Sequence, residues 1–513
     1  MPREAGVART LPPLGAFAAP LLGACAAVEL LAMSGVLPAR MDLVHAVALP
    51  PFDLTFDLGT LLGRATNPVW FSVGLLLAIA GRATILAGML GSVRRRWWFA
   101  VRFELVVLVP AFVAAELAYA GQAVLYSALF WVGALVAVAS AIVFSHVPWR
   151  VAGRPPSSIR SGLSGSLRLP TVVLYLVGLG TLSAAVRNGG EISALVALPV
   201  SACITLVAAR RLSLPASAPL AARAAVVVVA AAVLGLVLGA TAPNAPNAAR
   251  RPGELVVVAG IDTSSGHGSL FEMRPSSLGF SCSRTVYYSY AGPGRGAARG
   301  EAACPISEGA RYTRADTERP LAQLVRSFRA QVDRLVAPVT VVTHSSGAWV
   351  AWAAVSGDNA TPVRRILMLA PLTDPVGYAR PGADGTGAVG AAGMRAVMRY
   401  ARWIGFSRFD PDRPLAVELL GSPRAVTALF GRHLPPGVHT LAVPSAYDLA
   451  LFETSEPFPL AQTSCPVPKS HGALPTSVAA ADDANFFLSG EPAAPCDPWA
   501  GWLSAAATGF QVH

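Results

Sequence analysis

Long apolar runs in the first half of the chain restrict what it can fold into. A helix that crosses the ~30 Å hydrocarbon core of a bilayer needs about 20 predominantly apolar residues. Seven runs come close to this length, at about residues 14–37, 69–91, 101–120, 122–145, 170–186, 191–209 and 222–241. Residues 1–241 are therefore predicted to form an all-α, polytopic membrane domain of about seven transmembrane helices. The first run has no convincing cleavage site, which argues against a removed signal peptide.

The charge balance of the chain fits a membrane protein. Only 13% of the 513 residues are charged and the mean hydropathy is +0.52, whereas about a quarter of the residues of an average soluble protein are charged. The net charge of +11 comes from arginines that cluster in short loops between apolar runs. This clustering is typical of membrane topology and not of a nucleic-acid-binding groove. We therefore expect membrane lipids, and no nucleic acid, as partners.

The arginines also predict an orientation, because cytoplasmic loops carry most of the Lys and Arg of a membrane protein. They concentrate before the first run and in the second, fourth and sixth loops, as Arg3, Arg9, Arg94, Arg95, Arg96, Arg102, Arg150, Arg154, Arg160, Arg168, Arg210, Arg211 and Arg223. The N-terminus is therefore expected in the cytoplasm. Seven crossings then predict a multi-pass cell-membrane protein whose C-terminal domain is extracytoplasmic.

The second half of the chain has the pattern of a globular domain. A Pro/Asn-rich segment at residues 242–252 is predicted to be a linker. Strand-like and helix-like runs then alternate through residues 253–513, which is typical of an α/β domain with a mostly parallel sheet. The predicted strands are residues 254–260, 284–290, 339–342, 364–370 and 438–443, and the predicted helices are residues 317–336, 348–355 and 478–488.

An insertion at about residues 372–436 is predicted to form a cap on this domain. Its helix, at residues 394–406, separates an apolar face from Arg395, Arg399 and Arg402. Such a basic amphipathic helix either packs on the domain beneath it or rests on the bilayer interface.

Four cysteines lie in this half: Cys282, Cys304, Cys465 and Cys496. An even number outside the cytoplasm predicts two disulfides, and four cysteines allow three pairings. Proximity in sequence favours Cys282–Cys304 and Cys465–Cys496, each worth about 3 kcal/mol in the loop-entropy model. Because the chain has no CxxC pair, a zinc site is disfavoured and no metal is predicted.

The segment Val339–Val350, VTVVTHSSGAWV, contains a candidate nucleophile. A β-branched strand runs into a turn with a central serine and then into a helix, which is the small-x-Ser-x-small pattern of a nucleophile elbow. Ser345 is the central serine, and Thr343 replaces the first glycine of the usual form. The alternatives are an ordinary serine-rich turn, or Ser346 as the nucleophile. His344 is interpreted as a packing or pocket residue.

A serine hydroxyl needs a base to take its proton, and the base needs an acid to hold its tautomer. Asp448 follows the last clear strand, and His471 lies in a loop before the closing helix. Other candidates remain for both roles. If Asp448 only caps a helix, the acid would be one of Glu453, Glu456 and Asp374. The alternative bases are His433 and His439.

In this order of motifs, residues 250–513 resemble the α/β-hydrolase superfamily of lipases, esterases and related enzymes. The resemblance implies Ser345 as nucleophile, Asp448 as orienting acid and His471 as general base, with no cofactor. It also implies two oxyanion donors. The first is the backbone N–H of Ser346, and the second is that of Ile261 or Asp262 in the loop after Gly260.

The function expected from these features is a membrane-anchored, extracytoplasmic serine hydrolase. It would cleave carboxylic esters, lipidic or derived from the cell envelope, through an acyl-enzyme. An acyltransferase or a peptidase with the same triad is an alternative of the same chemistry. A non-catalytic membrane scaffold or transporter with a vestigial hydrolase domain is an alternative of another class.

Overall fold

The computed structural model describes residues 14–33, 49–123, 127–151, 168–213, 247–357, 360–373, 385–405, 410–421, 425–448 and 462–491, with residues 159, 163 and 381. Contacts divide the chain into two compact units, one with most residues before 232 and the other with most residues after it. Several predictions fall outside the described residues: the seventh apolar run, Asp374, Glu453, Glu456 and Cys496.

The first unit is helical. Its helices are α1 Leu14–Met33, α2 Phe52–Arg64, α3 Pro68–Met89, α4 Val93–Ala123, α5 Ser127–Phe144, α6 Val147–Val151 and α7 Leu169–Ser213. Four stretches of helix in the described residues are long and apolar enough to cross a membrane: Pro68–Met89, Val93–Gln122, Ala128–Trp149 and Val196–Ser213. This confirms helices with the length and composition of membrane spans in the N-terminal half, whereas seven spans and their orientation stay predictions.

Helix α7 differs from the sequence-based expectation. Two apolar runs, 170–186 and 191–209, were expected to be separate spans, but they form one uninterrupted helix of 45 residues. The intervening Asn188-Gly189-Gly190 disfavours helix by only about 1 kcal/mol per glycine, and no proline breaks the backbone there. The C-terminal domain was predicted to be extracytoplasmic from a count of seven crossings. That count included two spans where the structure has one helix.

The second unit is built on a parallel sheet. Its strands are β1 Glu254–Val258, β2 Thr285–Tyr287, β3 Val339–His344, β4 Val363–Leu369, β5 His439–Val443 and β6 Gln462–Thr463. They lie in the order β2-β1-β3-β4-β5-β6, and every neighbouring pair is parallel. This confirms the expected mostly parallel sheet. The two-residue β6 was not predicted, because so short a strand leaves no periodic pattern.

Helices flank this sheet. They are α8 Ser269–Glu272, α9 Leu321–Val332, α10 Gly347–Ser356, α11 Ala388–Trp403, α12 Pro414–Leu420, α13 Ala425–Phe430 and α14 Val478–Ser489, with 3₁₀ turns at Pro275–Leu278, Cys282–Arg284, Arg314–Glu318 and His471–Thr476. Every residue of β3 and all but the last of α10 are buried. The strand and helix on either side of Ser345 therefore form the centre of the domain core.

The predicted cap insertion is only partly separate from this core. Helix α13 packs on α10, where Phe430 meets Trp352 edge-on with ring centroids 5.3 Å apart. Helix α12 contacts the 3₁₀ turn Arg314–Glu318. The second half of the insertion thus belongs to the helical layer that connects β4 to β5. Helix α11 also begins six residues before the predicted residue 394.

The predicted linker packs on the same unit where the structure describes it. The N–H of Ala248 donates to the carbonyl of Ser276 at 2.8 Å, and that of Arg251 donates to the carbonyl of Gly279 at 2.9 Å. The guanidinium of Arg251 donates to the Ser489 hydroxyl at 3.0 Å. The contacts of the α/β unit therefore extend at least five residues before the predicted boundary at 253.

The first predicted disulfide is confirmed. Cys282 and Cys304 are bonded, with Cα atoms 5.3 Å apart. Cys465 is also disulfide-bonded, and its predicted partner, Cys496, lies outside the described residues. Cys25 and Cys203 of the helical unit are free thiols.

Replacing both Cys282 and Cys304 by serine is expected to destabilise the α/β unit by about 3 kcal/mol, because the bond closes a loop of 22 residues. Calorimetry of the full chain should show the melting transition of this unit lowered by about 6 °C or more. The matched control, Cys203→Ser, changes a free thiol. An unchanged transition in the double variant would show that the crosslink does not stabilise the fold.

Candidate active site

The site lies where the order of the strands reverses. Strand β1 has β2 on one side and β3 on the other, so the connections after β1 and β3 leave in opposite directions. Ligands of open α/β sheets bind in the crevice that this reversal creates at the carboxyl ends of the strands. Gly260 follows β1 and Ser345 follows β3, so the topology brings the predicted oxyanion loop and the predicted nucleophile to this one crevice.

Ser345 lies in a sharp turn whose geometry explains its small neighbours. Its φ of 56° lies in the left-handed region, which disfavours residues with a Cβ atom. A Cβ on Gly347 would lie 2.5 Å from the carbonyl oxygen of Val258, and one on Gly260 would lie 2.8 Å from the Cβ of Ser345. Both positions therefore require glycine, because the start of α10 crosses closely over the end of β1.

Backbone strain is concentrated at this edge of the sheet. In the described residues, the non-glycine positions with positive φ are Asp262, Ser345 and Ala370. They follow β1, β3 and β4 respectively. Such conformations cost about 1–3 kcal/mol each and cluster at functional sites. The strained turns thus mark the same crevice as the topology.

An aspartate and a histidine form a pair beyond the carboxyl ends of β5 and β6. The Nδ1 of His471 lies 2.6 Å from Oδ2 of Asp448, whose side chain is almost entirely buried. Burial alone would lower the pKa of His471, but the charge of Asp448 and its hydrogen bond outweigh burial and raise that pKa. Nδ1–H is held by the carboxylate, so Nε2 is left as the basic nitrogen.

The two oxygens of Asp448 have different surroundings. Its second oxygen, Oδ1, is buried and has no hydrogen-bond partner among the described residues. A buried carboxylate with few donors is stabilised mainly by whatever positive charge lies beside it. The pair is therefore arranged to favour a proton on His471.

His344 connects this pair to the turn that contains Ser345. Its Nε2 lies 2.9 Å from the carbonyl oxygen of His471, and the two rings are 4.7 Å apart between centroids. Because a carbonyl only accepts, Nε2 of His344 carries the proton. Burial, with the nearby charge of His471, lowers the pKa of His344 to about 3, so it is neutral at physiological pH. His344 therefore holds the backbone of His471 through a hydrogen bond, a contact beyond the predicted packing or pocket role.

The Ser345 hydroxyl itself makes no hydrogen bond to any residue that the structure describes. The path of contacts from Ser345 to His471 thus runs through His344. In enzymes without substrate, the bond between nucleophile and base is often long and tightens in the substrate complex.

The predicted second oxyanion donors are already engaged. The N–H of Ile261 donates to Oγ of Ser346 at 2.7 Å, and that of Asp262 donates to Oγ1 of Thr317 at 3.2 Å. The Ser346 hydroxyl accepts from Ile261, which leaves its own proton available. The Ser346 N–H directly precedes α10, where N–H groups lack intrahelical partners. Ser346 therefore offers two donors beside Ser345, and the sequence had indicated only one.

The rival bases lie at the wrong end of the sheet. His439 is the exposed first residue of β5, and His433 precedes it. Both are therefore near the amino ends of the strands, whereas Ser345 follows a carboxyl end. Of the candidate acids, Asp448 is the one within the described residues, and its bond to His471 contradicts a role limited to helix capping.

A cavity of about 650 Å³ lies away from these residues, beside the Cys282–Cys304 disulfide, and is lined by residues that include Arg274, Arg299 and Thr476. None of Ser345, Asp448 and His471 lines it. No group of three or more His, Cys, Asp or Glu side chains within the described ranges is arranged to hold a metal ion.

In comparisons with known proteins, no family model matches the chain, and no curated protein and no solved structure is significantly similar to it. The function is therefore argued from the geometry of the site.

Replacing Asp448 by Asn should change both the rate and the pH dependence of catalysis. An imidazole acts as a base only when it is neutral, so a reaction that uses His471 as its base is expected to slow as the pH falls through the raised pKa of His471. Without the carboxylate charge that pKa decreases, and the acid limb of kcat/KM shifts to lower pH. The value of kcat should fall by about 10⁴-fold, because an amide favours the wrong tautomer. A pH profile with an unmoved acid limb would contradict the pairing.

Proposed function

We propose that this chain is a membrane-anchored serine hydrolase that cleaves carboxylic esters through an acyl-enzyme. The observation that carries the proposal is the His471–Asp448 pair, which is joined through His344 to a strained strand–turn–helix with Ser345 at its centre. An exposed surface histidine would need neither the buried carboxylate nor the fixed carbonyl contact.

The chemistry follows from the roles of these three side chains. Nε2 of His471 takes the proton of the Ser345 hydroxyl as Oγ forms a bond to the ester carbonyl carbon. The bond from that carbon to the alcohol oxygen then breaks, and His471 gives its proton to the departing alcohol. A water molecule next attacks the acyl carbon while Nε2 of His471 takes a proton from it. The bond from that carbon to Oγ of Ser345 then breaks, and His471 returns the proton to Oγ, which leaves a carboxylic acid and the original serine.

The negative charge that develops on the carbonyl oxygen needs donors fixed in advance. We assign this role to the N–H and the hydroxyl of Ser346. Ile261 then acts through Ser346. Its N–H donates to Oγ of Ser346 at 2.7 Å, so the proton of that hydroxyl is free to point at the carbonyl oxygen of the substrate. This assignment replaces Ile261 and Asp262 as direct donors.

The substrate class is inferred from the location of the chain. Four of its helical stretches are long and apolar enough to span a bilayer, so the domain is attached to a membrane. Structural disulfides persist in oxidising compartments, and the Cys282–Cys304 bond therefore supports an extracytoplasmic domain. Esters of lipids or of the cell envelope are the acyl esters found at such a surface.

Replacing Ser345 by Ala should abolish hydrolysis of short acyl esters by the purified full-length protein. Loss of the nucleophile in a serine hydrolase lowers kcat by about 10⁶-fold, so turnover should fall to the background rate. Ser356→Ala, at the end of the same helix α10, is the matched control and should retain activity. Undiminished turnover by the Ser345 variant would contradict Ser345 as the nucleophile and would favour the non-catalytic scaffold alternative.

Replacing Ser346 by Ala should lower kcat by about 10²-fold with little effect on KM, as expected for loss of one oxyanion donor. Thr317→Val provides the comparison, because it releases the N–H of Asp262 and leaves Ser346 intact. Its effect should be much smaller. If the Ser346 variant stays within about threefold of the wild-type rate, the hydroxyl is not an oxyanion donor.

A further inference from the structure

Exposed apolar side chains of the α/β unit concentrate at one end of helix α11. Tyr400, Trp403 and Ile404 are 61%, 80% and 53% exposed. In the rest of the described part of this unit, only Val336 and Phe486 are large apolar residues with comparable exposure. Leaving such surface in water is costly, and a concentration of it marks an interaction site.

Helix α11 has two faces with different roles. Met394, Met398 and Ala401 are buried against the domain. At 100° per residue the opposite face, here called the α11 outer face, consists of Ala392, Ala396, Arg399, Tyr400 and Trp403, with Ile404 just beyond the helix. One face of the helix is therefore packed against the domain, and the outer face is exposed and available to a second partner.

The charge of α11 is entirely positive. The helix contains Arg395, Arg399 and Arg402 and no acidic residue. Arg402 pairs with Asp410 at 3.1 Å. Arg395 and Arg399 have no carboxylate partner among the described residues, and Arg399 is exposed on the outer face. The partner of this face should therefore be negatively charged.

The size and composition of the face fit a lipid surface better than a protein. Its three large apolar residues expose roughly 400 Å² together, whereas a stable protein interface needs about 800 Å² on each side. Tyrosine and tryptophan beside arginine are enriched where helices lie in the headgroup region of a bilayer. A chain with spans of its own also keeps a bilayer at high effective concentration.

We propose that the α11 outer face binds the headgroup region of a bilayer that contains anionic lipids. Trp403, Tyr400 and Ile404 enter the boundary between headgroups and acyl chains, and Arg395 and Arg399 contact the lipid phosphates. The inference goes beyond ester hydrolysis and does not depend on it.

The test uses the full-length protein with its two free thiols removed, as Cys25→Ser and Cys203→Ser. An environment-sensitive fluorophore is attached to Ala396→Cys, which lies on the outer face and leaves the aromatic residues intact. The protein is reconstituted in phosphatidylcholine vesicles with or without phosphatidylglycerol. Quenching by nitroxide-labelled acyl chains and by iodide in water is then compared.

With phosphatidylglycerol, we expect a blue shift, quenching by the lipid nitroxide and protection from iodide. All three are expected to disappear in Tyr400→Ser/Trp403→Ser/Ile404→Ser and to remain in the control Val336→Ser, which changes an equally exposed side chain elsewhere. Each of Arg395→Gln and Arg399→Gln should lower the ratio of docked to free label about fivefold, which corresponds to ~1 kcal/mol.

Two results would overturn the proposal. One is a label as accessible to iodide in phosphatidylglycerol vesicles as it is in the triple variant. The other is a blue shift in lipid-free detergent that grows with protein concentration, which would assign the face to a second copy of the chain. Neither readout requires esterase activity, so failure of the catalytic proposal would be seen separately in the Ser345 assay.

Discussion

The site depends on one steric constraint, the close crossing of helix α10 over the end of strand β1. The crossing leaves no room for a Cβ at Gly347 or Gly260, and it forces Ser345 into a left-handed conformation between them. A side chain in such a turn projects from the edge of the sheet, where the topology also opens a crevice. The energetic cost of the turn is met by the buried strand and helix on either side, which form the centre of the core. The backbone at Ser345 is therefore held in place by the core of the domain.

The protonation of the two histidines near this turn is set by burial and by one carboxylate. Asp448 is buried with one oxygen bonded to His471, so the carboxylate favours the protonated form of the imidazole and raises its pKa. His344 contributes the opposite property, because burial keeps it neutral while its N–H fixes the carbonyl of His471. The pKa values of two histidines whose ring centroids are 4.7 Å apart are thus shifted in opposite directions. Only one of them has a carboxylate beside it, and this assigns their separate roles.

Much of this arrangement could be predicted from residue patterns, and the rest depends on tertiary contacts. Continuous β-branched runs indicated β1, β3 and β4, and the small-x-Ser-x-small spacing indicated the turn at Ser345. The engaged N–H of Ile261 could not be predicted, since its acceptor lies 85 residues away on Ser346. The contact of His344 with His471 spans 127 residues and is equally invisible in the sequence. In the helical half, hydropathy indicated the apolar stretches, but it wrongly placed a break inside helix α7, where glycines remain helical.

The chain combines helices long and apolar enough to span a membrane with an α/β unit that contains a candidate esterase site. The functional proposal depends on the chemistry of Ser345. The most direct test is to treat the full-length protein with a fluorophosphonate, digest it and locate the adduct by mass spectrometry. The account predicts one adduct, on the hydroxyl of Ser345, and its loss in His471→Ala, because only a serine with a base beside it reacts. An adduct on another residue, unchanged labelling in the His471 variant, or no adduct on the native protein would contradict it.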